Sequence, residues 1–295
     1  MSLPYRVQII GLGRYLPRTR VDNATVEARF GLRAGTIART AAGVVSRRWA
    51  ERDETNSFMA AEAAREALAD AGLAATDLDL IVNASGSQEQ AVPDGGPLVQ
   101  RALGLGDSGI PAFTLHTTCL SFLSALDVVG ALVQAGRYRR VLVTTSELPS
   151  TSLNPDDIES ACLFGDAATA AVIVPAPADA SSAITHVRFE TYGDGADFTC
   201  VRGGGTRRHP NDPETQPEDN LFHHPPNHSI KHLHQPHRRF HLLLMPRIIA
   251  CPIFEERKII VHCQRDQPSS RFARIHHRRV GEAEHRPPAF AGEIG

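Results

Sequence analysis

Cys119 is the residue whose type and setting most directly suggest chemistry. It sits in Thr117-Thr118-Cys119-Leu120-Ser121-Phe122, where a β-prone run ends at His116 and an apolar, helix-compatible run continues to a stop signal at Gly136. A cysteine at a helix start meets the positive end of the helix dipole and unpaired backbone N–H groups. Both favour the thiolate, which is the nucleophilic form. The setting therefore predicts a thiol fit for covalent catalysis. From the residues alone, a single cysteine opening an apolar helix is more often a packed core residue. His116 precedes it by three positions but ends a strand, and reads as pocket lining or core rather than as a base.

Other groups carry less. Cys162, Cys200, Cys251 and Cys263 form no C-x-x-C pair with one another or with Cys119, so neither a disulfide framework nor a cysteine zinc site is expected. Gly11-x-Gly13 lacks the third glycine and following helix of a dinucleotide fingerprint, and is read as a turn at a strand end. The pairs His224/His228, His228/His232 and His237/His241 have the spacing of metal ligands on one helix face, but Pro225, Pro226 and Pro236 break that helix. No metal site is expected. The arginines from Arg238 to Arg286 show no groove-reading motif, and a solvated tail is the expected reading.

The elements that must position Cys119 can be read in order. Arg6 to Ile10 is a strand closed by the glycines, Thr25 to Phe30 a short helix, and Gly35 to Trp49 an irregular, arginine-bearing connection. Asn56 caps a helix that runs to Ala71 and stops at Gly72. Asp79 to Asn83 is a buried strand, Leu98 to Leu103 lies on a helix, and Ala112 to His116 is the strand before Cys119. The Cys119 helix is apolar nearly all round, which predicts a buried central helix. Val141 to Thr145 and Thr169 to Val174 follow as strands. Strands alternating with helix patterns imply an α/β fold with a mainly parallel sheet covered on both faces. Ile184 to Tyr192 alternates and is expected to open a second sheet.

Composition sets outer bounds. With 295 residues, 42% of them apolar, the chain can fill a real core, and a net charge of −2 argues against a nucleic-acid or membrane-surface role. No apolar run approaches the roughly 20 residues of a membrane span, no leader opens the chain, and five unpaired cysteines suit a reducing cytoplasm. The average hides an asymmetry. Residues 206–295 hold 12 of the 14 histidines and 14 Lys+Arg against 10 Asp+Glu.

Taken together, these stretches resemble the β-ketoacyl-acyl-carrier-protein synthase III family. The matching features are Gly11-x-Gly13-x-x-x-Pro17, the Asn56 to Gly72 helix, Thr-Thr-Cys119-x-x-Phe122-x-x-Ala125-Leu126-Asp127, and Phe164-Gly165-Asp166-Ala167-Ala168 before an apolar strand. The resemblance implies a thiolase-like fold, with two pseudo-duplicated βαβ halves around buried helices and a second half that is incomplete or disordered. It divides the chain into residues 1–175, the nucleophile-bearing half; 176–222, the start of the C-terminal half; and 223–295, an atypical His/Arg/Pro-rich, poorly ordered segment. It implies a homodimer in which Cys119 takes an acyl group from acyl-CoA or acyl-carrier protein. Condensation with malonyl-carrier protein, with loss of carbon dioxide, would then give a 3-oxoacyl thioester without a bound cofactor. The alternative is a catalytically silent chain that binds acyl groups without condensing them.

The chain departs from the family in three places. Its Pro-His-Gln-Ala and Gly-Asn-rich segments, which supply the neutral donors for decarboxylation, are absent, and Ile259-Ile260-Val261-His262 is the nearest echo. The tryptophan and arginine that sandwich the adenine of coenzyme A correspond to Thr36 and Ile158, with Trp49 too far along to substitute. Weak coenzyme A binding and a carrier-protein-bound donor are expected. The abrupt change at His223 is read as a coding frame shifted after about Phe222. That reading predicts that another frame of the nucleotide sequence restores a histidine-and-asparagine half.

Overall fold

A computed structural model describes residues 5–40, 43–180 and 183–223. The expectations for His262, the histidine pairs, Cys251, Cys263, and the order and frame of the tail beyond His223 lie outside the described residues. The strands are β1 (Val7–Tyr15), β2 (Thr19–Asp22), β3 (Ser46–Trp49), β4 (Leu80–Asn83), β5 (Ala112–Thr114), β6 (Val141–Glu147) and β7 (Ala167–Pro175). The α-helices are α1 (Asn23–Arg29), α2 (Asn56–Ala71), α3 (Gly95–Ala102), α4 (Ser121–Gln134) and α5 (Ile158–Leu163).

Five strands form one sheet in the order β1-β7-β6-β4-β5, and β2 pairs with β3 in a separate antiparallel ribbon. β4, β6 and β7 are buried on both faces, which is why they read as apolar runs rather than as alternations. Successive side chains still go to opposite sides. Ile81, Leu142 and Val172 pack with Met59, Ala63 and Ala67 of α2, while Leu80, Val82, Val141 and Val143 pack with Ala125, Val129 and Val133 of α4. The sheet therefore lies between two helical layers, with α4 forming one of them.

Helix α2 follows its local signals. The Thr55 hydroxyl, one residue before the expected cap, accepts from the Phe58 N–H, and Gly72 closes the helix in the left-handed conformation. Helix α1 is capped in the same way by Asp22.

Several expectations are corrected. The sheet is mixed: β4 runs parallel to β5 and β6, whereas β7 runs antiparallel to β6 and to β1. The segment between β6 and β7 does not cross a sheet face. Leu153 and Cys162 pack instead with Val21, Val26, Ile37 and Trp49, so the chain returns to the end it left. β1 runs on through Gly11 and Gly13 to Tyr15, with a bulge between Ile9 and Gly11. Strand β3 lies within the stretch read as irregular.

Helix α4 is buried on one side only among the described residues. Val128 is 37% exposed, and Phe122, Leu123 and Leu132 are half-buried. Between Ile184 and Tyr192 no strand forms. Ile184 makes an isolated antiparallel bridge to Tyr5, and the chain continues through bends and short 3₁₀ turns to His223. Phe222 docks that segment beside α5, stacking on Phe164 at 5.2 Å between ring centres and donating its N–H to the Ser152 carbonyl at 2.8 Å.

Candidate active site

The turn that carries Cys119 is built by hydroxyl groups. Thr118 to Leu120 form one turn of 3₁₀ helix that feeds into α4 at Ser121. The Ser121 hydroxyl accepts from the Thr117 N–H at 3.0 Å and donates to the Thr118 carbonyl at 2.6 Å. The Thr117 and Ser124 hydroxyls lie 2.8 Å apart, and the Thr118 hydroxyl donates to the Thr117 carbonyl at 2.8 Å. Within this mesh Thr118 has φ of +51°, a left-handed conformation that is costly for a β-branched residue. Cys119 is exposed among the described residues. A thiol held at a helix start and open to solvent can be reached by a thioester.

A second loop flanks the turn from the sheet. The Glu147 carboxylate, at the end of β6, accepts from the Gly86 N–H at 2.5 Å and the Ser87 N–H at 2.8 Å. A Cβ added to Gly86 would make an ordinary contact, 3.4 Å, with the carbonyl carbon and oxygen of Thr118, so the loop after β4 lies beside the turn that carries Cys119 with room for a methyl group between them. Beneath it the buried Asn83 oxygen accepts from the Ser85 hydroxyl at 2.9 Å and from that of Thr144 at 3.3 Å. These donors and acceptors fix where β4 and β6 end.

The other motif residues do structural work. Asp166, nearly fully buried, accepts from the Ala50 N–H at 2.7 Å and from the N–H and hydroxyl of Ser150 at 3.0 and 2.6 Å, tying the start of β7 to β3. Trp49 is buried with Val21 and Val26, and the Arg29 guanidinium lies over its ring at 4.8 Å. Thr36 heads a 3₁₀ turn and donates to the Arg33 carbonyl at 2.6 Å. His116 is exposed, not core. Cys162 is buried, and desolvation pushes its thiol pKa up despite the neighbouring Arg47. Among the described residues no group of three His, Cys, Asp or Glu could hold a metal ion.

Neither Ser121 nor Glu147 is singled out by the sequence motifs. A serine two residues after the cysteine is the one available hint, since serine favours helix starts. Glu147 gives none, because its partners at Gly86 and Ser87 are 60 or so positions away.

A mixed sheet between helical layers, with a cysteine delivered from its edge strand to the start of a flanking helix, defines a chain of the thiolase-like class. Residues 113–195 match the family model for 3-oxoacyl-[acyl-carrier-protein (ACP)] synthase III. Over 201 residues the chain is 39% identical to a 3-oxopimeloyl-[acyl-carrier-protein] synthase of Brucella abortus, covering 68% of this chain and 60% of that protein. A beta-ketoacyl-[acyl-carrier-protein] synthase III of Rhodospirillum rubrum is 40% identical over 173 residues, 59% of this chain and 53% of its own length. Among solved structures, a 3-oxoacyl-(acyl carrier protein) synthase III of Pseudomonas aeruginosa superposes with a TM-score of 0.63 at 28% identity, covering 74% of this chain and 64% of that one. The Aquifex aeolicus enzyme of the same name gives a TM-score of 0.52 at 35% identity, over 57% of this chain and 53% of that one.

Over the residues so aligned, the chain is similar to members of the 3-oxoacyl-[acyl-carrier-protein] synthase III family. It spans about 60% or less of the length of these two curated relatives.

Proposed function

We propose that this chain is an acyltransferase in which Cys119 accepts an acyl group and passes it on in a decarboxylative condensation. The observation that carries the reading is the exposed Cys119 thiol on a strained turn at the start of α4. In the first step the Cys119 sulfur attacks the carbonyl carbon of an acyl thioester, a carbon–sulfur bond forms, and the donor's thiol leaves with a proton. In the second, malonyl-carrier protein loses carbon dioxide, and the enolate so formed attacks the acyl-cysteine. A carbon–carbon bond forms, the cysteine sulfur leaves as thiolate, and a 3-oxoacyl thioester is released. The division into two steps lowers each barrier.

The proposal takes acyl-carrier protein as the donor, because Thr36 offers no aromatic face for an adenine and Trp49 is spent in the core. It places the chain in the cytoplasm as a homodimer, with residues 1–175 as the nucleophile half and 176–222 as the start of the second. No helix among the described residues is long and apolar enough to cross a membrane.

A second reading, acylation without condensation, is favoured by the sequence after His223, in which His262 alone echoes the neutral donors that enolate formation requires. Adding malonyl-carrier protein to the acylated protein separates the two. Release of a 3-oxoacyl product supports condensation, and an acyl adduct that persists supports the silent reading.

A further inference from the structure

We propose that Ser121 is the positioning residue for the Cys119 thiol, holding it at the helix start by locking the peptide that precedes it. The inference rests on the assignment of Cys119 as the reactive group and adds the device that orients it. Ser121 is 2% exposed, and its hydroxyl is engaged on both sides: it accepts from Thr117 and donates to Thr118, the two residues immediately before the cysteine.

The physical consequence follows from peptide planarity. The Thr118 carbonyl and the Cys119 N–H belong to one rigid plane that ends at the Cys119 Cα, so fixing the oxygen fixes the N–H and the position of the Cα from which the thiol projects. That plane is not where Thr118 would leave it unaided. With φ of +51° the residue is held in a region that a β-branched side chain disfavours, and relaxation to negative φ would rotate the plane and carry Cys119 with it. The Ser121 bond to the Thr118 carbonyl opposes that rotation. The bond to Thr117 anchors the other side of the strained residue, and the Thr117–Ser124 contact closes the mesh one turn further along α4.

The lock keeps Cys119 at the start of α4. Removing the hydroxyl should move the thiol away from that end without unfolding the helix. This differs from an ordinary helix cap, whose loss would cost stability and leave the folded thiol unchanged.

The test is the rate of iodoacetamide alkylation at Cys119 at one fixed pH, followed by peptide mass mapping in the full-length chain for wild type, Ser121→Ala and Ser121→Thr. The expected result is alkylation slowed about threefold or more in S121A, with S121T close to wild type. Acyl transfer to Cys119 should fall about tenfold or more in S121A, as expected for a misplaced reacting atom. An unchanged rate in S121A, with only a lower melting temperature, would overturn the proposal, as would an S121T rate lowered as far as that of S121A. Should S121A fail to fold, Ser121→Val is compared with Ser121→Thr, from which it differs by a methyl in place of the hydroxyl, and is read in the same way. Alkylation needs no acyl donor. If wild type takes no acyl group while S121A is still alkylated more slowly than wild type, the acyltransferase reading is contradicted and the positioning role stands.

Discussion

A methyl group on Gly13 would lie 2.0 Å from the carbonyl oxygen of Ala63, inside any allowed contact, so strand β1 and helix α2 touch backbone to backbone. Gly11 meets the Ala67 oxygen in the same way, at 2.1 Å. The glycine pair is thus a packing device that lets an alanine-rich helix sit flat on the strand. Gly13→Ala should destabilise the protein by about 3 kcal/mol or more, because both clashing groups belong to regular elements that cannot give way locally. Urea denaturation of G13A checks this; a midpoint equal to that of wild type would show that the contact is slack.

Glu54 is fully buried and accepts from the Tyr15 hydroxyl at 2.6 Å, the Arg18 N–H at 2.9 Å and the Glu51 N–H at 2.8 Å. Burial pushes its carboxyl pKa up, but these hydrogen bonds and the Arg18 charge outweigh burial and hold it below the usual range. A folded value below the unfolded one contributes stability above the ordinary glutamate pKa of about 4.3, and that stability is lost as pH falls through the folded value. Glu54→Gln should lower stability at neutral pH by about 1–3 kcal/mol and flatten the acid limb of the stability curve. Denaturation measured at several pH values should show the difference between the two proteins shrinking in acid. A constant difference would contradict the assignment.

Cys119 and Cys162 should separate cleanly by reactivity. The first is exposed, whereas the second is buried with a thiol pKa raised by desolvation. Brief treatment of the native protein with iodoacetamide at neutral pH, followed by peptide mapping, should label Cys119 and leave Cys162 unmodified until denaturant is added. Labelling of Cys162 at a similar rate would show that the cluster around Trp49 opens readily.

The chain's one tryptophan, Trp49, reports on that cluster. Arg29→Ala removes the guanidinium 4.8 Å from its ring and should cost about 0.5–1 kcal/mol. Its fluorescence should be blue-shifted in the native state and move to the red only on unfolding, in both proteins. A red-shifted native emission in wild type would mean that the ring is not buried.

What could be read from the sequence was what short-range signals encode. Helix α2 declares itself through a capping residue, read as Asn56 and found one position earlier at Thr55, an alanine-rich face and Gly72, all within one stretch, and β4, β6 and β7 through their apolar runs. Strand β3 was hidden because its buried Arg47 contradicts the expected pattern. The guanidinium is accommodated by the Asn23 side chain at 2.9 Å and the Cys162 carbonyl at 2.7 Å, partners 24 and 115 positions away. The antiparallel direction of β7 was equally hidden, since it depends on where Leu153 and Cys162 pack. At the site, Cys119 stood out by its place before an apolar helix. Ser121 did not, because its importance lies in two hydrogen bonds across a strained residue that no pattern of residue types records.

The most direct test of the account is intact mass measurement after incubation with an acyl-carrier-protein donor. The account predicts a mass increase equal to one acyl group in the wild-type chain, located at Cys119 by peptide mapping, and none in Cys119→Ala. An unmodified wild-type chain, or an adduct that persists in C119A, would contradict it.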